Sequence, residues 1–272
     1  MDILSQIVSR TRDILETRKR ELPLADLEAA ARARQRPHHA LTAALAASTD
    51  PLVIAEFKRK SPSRPNINME ADPVAVAKAY AAGGAAAMSI LTEPDFFAGS
   101  PDDLRKVADA VSIPLLRKDF VIDRYQLHEA KAWGADLVLL IARILEPSQL
   151  AELQAEAREL GLETLCEIHN LDEYERVGDT PIDFLGVNCR DLKRFATNLD
   201  QLIDIVPHLP KATPWVAESG IHAPEDVARL HEVGYRAYLV GEYLMKSPDP
   251  SARLEELRTA NRSSTSETAP PS

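Results

Sequence analysis

Several short apolar runs of this chain end in ionisable or amide side chains. Leu52-Val53-Ile54-Ala55 is followed by Glu56 and Lys58, Leu115-Leu116-Arg117 by Lys118, and Leu165-Cys166 by Glu167. Phe184 to Val187 leads into Asn188 and Arg190, and Trp215-Val216-Ala217 into Glu218 and Ser219. Carboxylates set beside ammonium groups can exchange protons with a bound molecule, and a guanidinium can grip a carboxylate through two parallel bonds. A single Lys or Glu at such a place is ordinarily a solvated loop charge. Repetition at five run ends changes that reading, because charges converging on one cleft cost desolvation unless they pair or hold a ligand.

Alternation sharpens the set. Residues two apart on a strand share a face, so Glu56 goes with Lys58, Lys118 with Leu116 and Phe120, and Asn188 with Arg190. Gly220 and Gly241 close the last two runs, where glycine lets backbone N–H groups approach a phosphate, although turns need glycine for other reasons too.

The elements that must position these residues follow from the texture of the chain. After Pro51, apolar runs of strand length alternate with helical stretches, the signature of βα units. Strands are expected at Leu52–Phe57, Ala86–Leu91, Pro114–Lys118, Leu137–Ile141, Glu163–Glu167, Phe184–Asn188, Trp215–Glu218 and Tyr238–Val240. Helices are expected to begin near Pro73, Pro101, Arg124, Pro147, Leu171, Leu199, Pro224 and Pro250, several of them opened by a proline whose missing N–H has no intrahelical partner there. Eight such units point to an α/β fold, a closed (β/α)8 TIM barrel. An open doubly wound sheet is the alternative, and no glycine-rich dinucleotide turn follows the first strand.

Ahead of the barrel, residues 1–50 read as an N-terminal helical extension, with Ile3, Leu4, Ile7, Val8, Ile14 and Leu15 at helical spacing and Pro37 interrupting a second helix. Residues 51–261 are expected to form the catalytic barrel, and the Ser-, Thr- and Pro-rich residues 262–272 a disordered tail.

The 272 residues carry 32 Lys and Arg against 42 Asp and Glu, a formal net charge of -10, which argues against a nucleic-acid partner. No apolar run reaches the roughly 20 residues of a membrane span, so no membrane is expected. The two cysteines, Cys166 and Cys189, read as buried structural thiols in a reducing cytoplasm, and the histidines show no paired ligand spacing, so no metal or cofactor is implied.

Taken together, six strings resemble the indole-3-glycerol phosphate synthase family. They are Ala55 to Ser63, Ser89 to Glu93 with Phe96-Phe97, Leu116 to Phe120, Cys166 to His169, Asn188 to Leu192, and Ala217 to Ile221, in family order. The resemblance implies ring closure, decarboxylation and dehydration of a carboxyphenylamino-deoxyribulose phosphate, and possible association with other tryptophan-pathway enzymes. By it, Lys118 is the general acid, Glu167 handles the proton of the dehydration, Lys58 binds anionic groups and assists loss of the hydroxyl, and Glu56 orients Lys118 or Lys58 and stabilises the cationic intermediate. Asn188 and Arg190, with Ser61, hold the anthranilate carboxylate. Phe97 and Phe120, with Phe96, wall the aromatic ring, while Ser219, Gly220, Gly241 and the Glu242 backbone bind phosphate and Glu218 lines the mouth.

Two departures stand out. Pro65 replaces a usual glycine in the first βα loop, which predicts a stiffer loop, and Tyr243 replaces a small residue beside the phosphate site, which reshapes that site if its ring points inward. Another phosphate-binding barrel, such as a sugar-phosphate isomerase, would carry a different base at the first and sixth strands. An inactive binding paralogue would lack Lys118 or Glu167; both are present.

Overall fold

The computed structural model describes residues 2–34, 36–190 and 196–263. Eight parallel strands close into a barrel in chain order: β1 (Leu52–Phe57), β2 (Ala87–Leu91), β3 (Leu115–Lys118), β4 (Leu137–Ile141), β5 (Glu163–Ile168), β6 (Phe184–Asn188), β7 (Trp215–Glu218) and β8 (Ala237–Val240). Every expected strand is present, with ends moved by one residue at β2, β3, β5 and β8. The runs are legible because a parallel strand is covered on both faces and reads as continuous apolar sequence.

Helices begin at each expected position. Pro73–Ala82, Pro101–Ala110 and Arg124–Trp133 start with Asp72, Ser100 and Asp123 accepting first-turn N–H groups. The last of these stops at Gly134, whose φ of 91° suits glycine. Short helical turns at Pro94–Phe97 and Glu242–Met245 lie in loops that the spacing did not announce.

The barrel has an outer and an inner core. Val53, Ala55 and Phe57 of β1 point outward into the layer shared with the helices, whereas Leu52 and Ile54 point inward. Alternate strands supply the inner layers. The odd strands contribute Ile54, Leu116, Leu165 and Val216, and the even strands contribute Ala87, Leu137, Phe184 and Ala237. Two residues further along each odd strand, the layer changes from aliphatic to charged.

The N-terminal segment contains α1 (Ile3–Glu21), α2 (Leu24–Ala33) and α3 (Leu41–Ala47). The side chain of Asp2 caps α1, and Lys19 pairs with Asp123 at 2.7 Å while the Tyr125 hydroxyl donates to Leu22 O at 2.8 Å. These contacts fasten the far end of α1 to the helix after β3, on which α2 also packs. The chain then passes to the base of the barrel, where buried Asp136 pairs with Arg36 and accepts the His39 N–H at 3.0 Å. At the start of β5, Glu163 accepts the Leu41 N–H at 2.7 Å and the Thr42 N–H at 3.1 Å, capping α3. Leu41, fully buried, closes the bottom of the inner core. α3 had no counterpart in the sequence reading, since its cap lies 122 residues away.

At the other end of the chain, Arg262 and Ser263 belong to a helical turn, Ala260–Ser263, and residues 264–272 of the expected tail lie outside the described residues. Among the described residues, no helix is long and apolar enough to cross a membrane.

Because Leu41 fills the barrel base and not the mouth, Leu41→Ala is expected to lower the unfolding free energy by about 3 kcal/mol through cavity formation. Urea denaturation would read this, and the charged layer at the opposite end should keep its function at temperatures where the variant is folded.

Candidate active site

Glu56, Lys118, Glu167 and Glu218 sit at equivalent heights on β1, β3, β5 and β7, one residue pair above the ring of Ile54, Leu116, Leu165 and Val216. All four project into one cleft at the C-terminal end of the barrel. The cleft has a volume of about 150 Å³ and is open to solvent above. The next positions upward on the same strands, Lys58, Phe120, His169 and Gly220, line it too, and Leu91, Ile141, Asn188 and Gly241 do so from the even strands. Strand alternation thus carries Glu56, Lys58, Lys118, Phe120, Glu167, Asn188 and Glu218 into a common space.

Lys118 is the centre of the charged layer. Its Nζ donates to Glu218 Oε2 at 2.8 Å and to Glu167 Oε2 at 3.2 Å. Glu56 does not bond Lys118; its carboxylate pairs with Lys58 on the same strand face. Of the two lysines that Glu56 was expected to orient, it is Lys58 that it contacts. Glu218, expected to line the mouth, does so and is also a direct partner of Lys118.

Burial and charge work against each other here. Burial drives Glu56 toward its neutral form, but Lys58 and Lys118 outweigh it and hold its carboxyl below the usual range. Burial also penalises the Lys118 ammonium, yet Glu218, Glu167 and Glu56 together raise its pKa well above that of a free lysine. Within the coupled pair, burial acts on both carboxyls. Lys118 and then His169 pull Glu167 down, whereas Glu218, with one cation beside it and Glu167 opposing it, stays raised. At neutral pH Lys118 is therefore an ammonium and Glu167 a carboxylate, the forms required of an acid and a base.

Two glycines make room for the acids. A Cβ on Gly241 would collide with Glu56 Oε1 and stand 3.1 Å from its Cδ, and one on Gly186 of β6 would collide with Glu218 Oε1. Gly241, read from sequence as a phosphate residue, thus also accommodates Glu56; Gly186 went unremarked there.

The remaining candidates gather around this layer. Asn188 Oδ1 accepts the Arg190 N–H at 3.0 Å, and Arg190 Nη1 reaches Ser63 Oγ at 3.4 Å, so β6 and the first βα loop meet beside Ser61. In that loop Ser61 and Arg64 exchange backbone hydrogen bonds of 2.8 and 3.0 Å, a tight turn immediately before Pro65. Phe97 and Phe120 lie 6.0 Å apart between ring centroids and form an apolar wall. Phe96 is not among the residues lining the cleft. Ser219 and Gly220 both have positive φ, 70° and 75°, and with Gly241 and Glu242 they form the opposite rim.

The Glu242 side chain turns to Lys246 and Arg64. Tyr243 points away: it packs on the outer core, its ring faces Arg253, and its hydroxyl lies 3.4 Å from Glu256. The reshaped pocket conceived for an inward ring does not arise. Cys166 faces the outer core, where burial pushes its thiol up to about 12, and Cys189 is buried with its thiol toward Ser219 O. Asp191 and Leu192 of the sixth string lie outside the described residues.

Two lining features escaped the sequence reading. Ile3, Leu4 and Ile7 of α1 reach the cleft, and Arg10 pairs with Asp95 in the loop after β2, holding the helix there. Helical periodicity announced an apolar face but not what it covers. Buried His169 also faces the cleft, placed there by the extension of β5 to Ile168.

Fold and site together define a (β/α)8-barrel enzyme with a buried acid–base layer at its C-terminal mouth. The model of the family described as indole-3-glycerol phosphate synthase matches residues 4–257. A Nocardioides protein of that name is 45% identical over 94% of this chain and 98% of its own, and one from Bacteroides thetaiotaomicron is 41% identical over 95% and 98%. The chain belongs to the indole-3-glycerol phosphate synthase family. Among solved structures, 3-hexulose-6-phosphate synthase from Salmonella typhimurium aligns with a TM-score of 0.63 at 11% identity, covering 78% of this chain and 99% of that one, a likeness of fold alone.

Removing the central cation should expose the carboxyl pair. In Lys118→Met, Glu167 and Glu218 lose their shared donor, and Glu167, held low in the wild type, joins Glu218 above the unfolded value. Such a group stabilises the fold below its unfolded pKa and loses that contribution as pH rises through the folded one. Thermal unfolding is expected to show the variant near wild type at pH 5 and progressively less stable toward pH 8; a pH-independent difference would contradict the pairing.

Proposed function

We propose that this protein converts 1-(2-carboxyphenylamino)-1-deoxyribulose 5-phosphate into indole-3-glycerol phosphate, carbon dioxide and water, acting as a carboxy-lyase. The observation that carries this reading is the buried Lys118 ammonium within hydrogen-bond reach of Glu167 and Glu218, in the mouth of a barrel belonging to this family. The ring carbon bearing the carboxylate attacks the ribulose carbonyl, and Lys118 gives that oxygen a proton as negative charge grows on it. Its carboxylate partners keep it protonated at rest, and a nascent alkoxide is far more basic than the amine left behind.

Loss of carbon dioxide returns electrons to the ring. Departure of the new hydroxyl as water then requires an acid on one side and a base on the other. Lys58, with Glu56 as its counter-ion, assists the leaving hydroxyl, and the Glu56 carboxylate steadies cationic character on the ring system. Glu167, ionised, takes the proton that completes the indole.

In the same proposal Arg190, Asn188 and Ser61 hold the anthranilate carboxylate, with Phe97 and Phe120 against the aromatic ring. Backbone N–H groups of Ser219, Gly220, Gly241 and Glu242 take the phosphate, where left-handed backbone at Ser219 and Gly220 allows close approach. The apolar side chains of α1 exclude water above the ring, which strengthens every charge interaction below. A cytoplasmic setting, suited to the two buried free thiols, and association with other tryptophan-pathway enzymes complete the reading.

Incubating the protein with the carboxyphenylamino-deoxyribulose phosphate and following indole fluorescence tests it. Turnover by wild type is expected, with a loss of about a hundredfold or more in Lys118→Met. No signal above background at micromolar protein would refute the assignment.

A further inference from the structure

His169 is a buried ionisable group on the cleft wall to which the reaction above gives no task. It follows β5 directly, two residues beyond Glu167, and is 7% exposed. Its orientation is imposed. Glu173, on the helix Leu171–Val177, accepts the His169 backbone N–H at 2.8 Å and lies 3.1 Å from Nδ1 through the same Oε2. Glu173 is itself fixed, since its N–H donates to Asn170 Oδ1 at 2.9 Å and Asn170 Nδ2 reaches its Oε1 at 3.4 Å. Gln201 anchors the same turn by donating to His169 O at 2.9 Å.

A carboxylate can only accept, so Nδ1 must carry a proton. That leaves Nε2 as the variable atom. It is buried, has no hydrogen-bond partner among the described residues, and lies 3.7 Å from Glu167 Oε1. The other Glu167 oxygen is the one that accepts from Lys118. The gap exceeds a hydrogen bond, and such bonds often tighten only when an active site is filled.

We propose that His169 is a positioning residue for Glu167: clamped through Nδ1 by Glu173, it turns Nε2–H toward Glu167 Oε1 and, as an imidazolium, keeps that carboxylate in place and ionised. Glu167 then sits between two cations, Lys118 on one oxygen and His169 on the other. The charged groups around the imidazole are Glu167 from β5, Glu173 from the following helix, Glu218 from β7, and Arg143, from the turn after β4, 3.8 Å from Glu173. Burial alone would favour neutral imidazole, but Glu173, Glu167 and Glu218 prevail and raise its pKa. The inference rests on the proposed role of Glu167 as proton acceptor, and its geometry does not.

The test uses His169→Asn and Glu173→Gln in the full chain, the second retaining an acceptor for Nδ1 without the charge. With the carboxyphenylamino-deoxyribulose phosphate, His169→Asn is expected to lower kcat about tenfold or more at pH 7, with KM nearly unchanged. The acidic limb of its kcat profile should move up by about one pH unit, because a cation beside Glu167 has been lost. Glu173→Gln should shift the limb the same way by less. An unmoved acidic limb, whether kcat falls or not, would overturn the proposal and leave His169 a packing role. Nuclear magnetic resonance titration of the His169 ring separates this from failure of the functional reading. In Glu167→Gln the ring should titrate at lower pH than in wild type even if neither protein turns over substrate, and an unchanged titration would refute the coupling.

Discussion

A single ammonium group, Lys118 Nζ, bonded to carboxylates from two other strands, sets the terms for the upper half of the barrel. Glu56, Glu167 and Glu218 all lie in one layer with their side chains almost wholly withdrawn from water. Three carboxylates so placed could not remain ionised without compensation, and removing the central cation would leave buried charge unopposed. Lys118 answers two of them, Lys58 answers the third, and the residual imbalance settles on Glu218, whose proton is held more tightly. The acid and base forms needed for the proposed chemistry are thus results of electrostatic pairing within one ring of side chains.

Such pairing needs a rigid frame. The strands provide one, because side chains from alternate strands meet at fixed height and the aliphatic ring beneath prevents the charged ring from sinking. The N-terminal segment acts at both ends. α3 stops the base with Leu41, and α1 lays Ile3, Leu4 and Ile7 over the mouth, where they lower the local dielectric in which the lysine and its partners interact.

The fold was readable because its dominant signal is local. Eight apolar runs and the proline-opened helices between them place every strand to within a residue, and two-residue periodicity puts Glu56, Lys118, Glu167 and Glu218 indoors. Partnership was harder. Whether Glu56 meets Lys58 or Lys118 depends on side-chain reach across a closed ring, and Glu218 as a partner of Lys118 spans 100 residues of sequence. α3 is capped by Glu163 from β5, and helical periodicity gave α1 an apolar face without saying that it roofs a cleft. Tyr243 shows the reverse error: a bulky residue beside a functional glycine looks intrusive in sequence, yet the short turn Glu242–Met245 rotates it outward to Arg253 and Glu256.

Gly186 and Gly241 leave behind a constraint that links distant positions. The space a methyl group would take at 241 is filled by the carboxylate of Glu56, and that at 186 by the carboxylate of Glu218. Neither member of a pair can drift alone: a larger residue at the glycine evicts the acid, and a shortened acid leaves a void beneath the charged ring. Among relatives, the pairs 56 with 241 and 186 with 218 should therefore vary jointly or stay fixed. An evolutionary path that rebuilt this mouth for another reaction would have to exchange the acid and its facing glycine together.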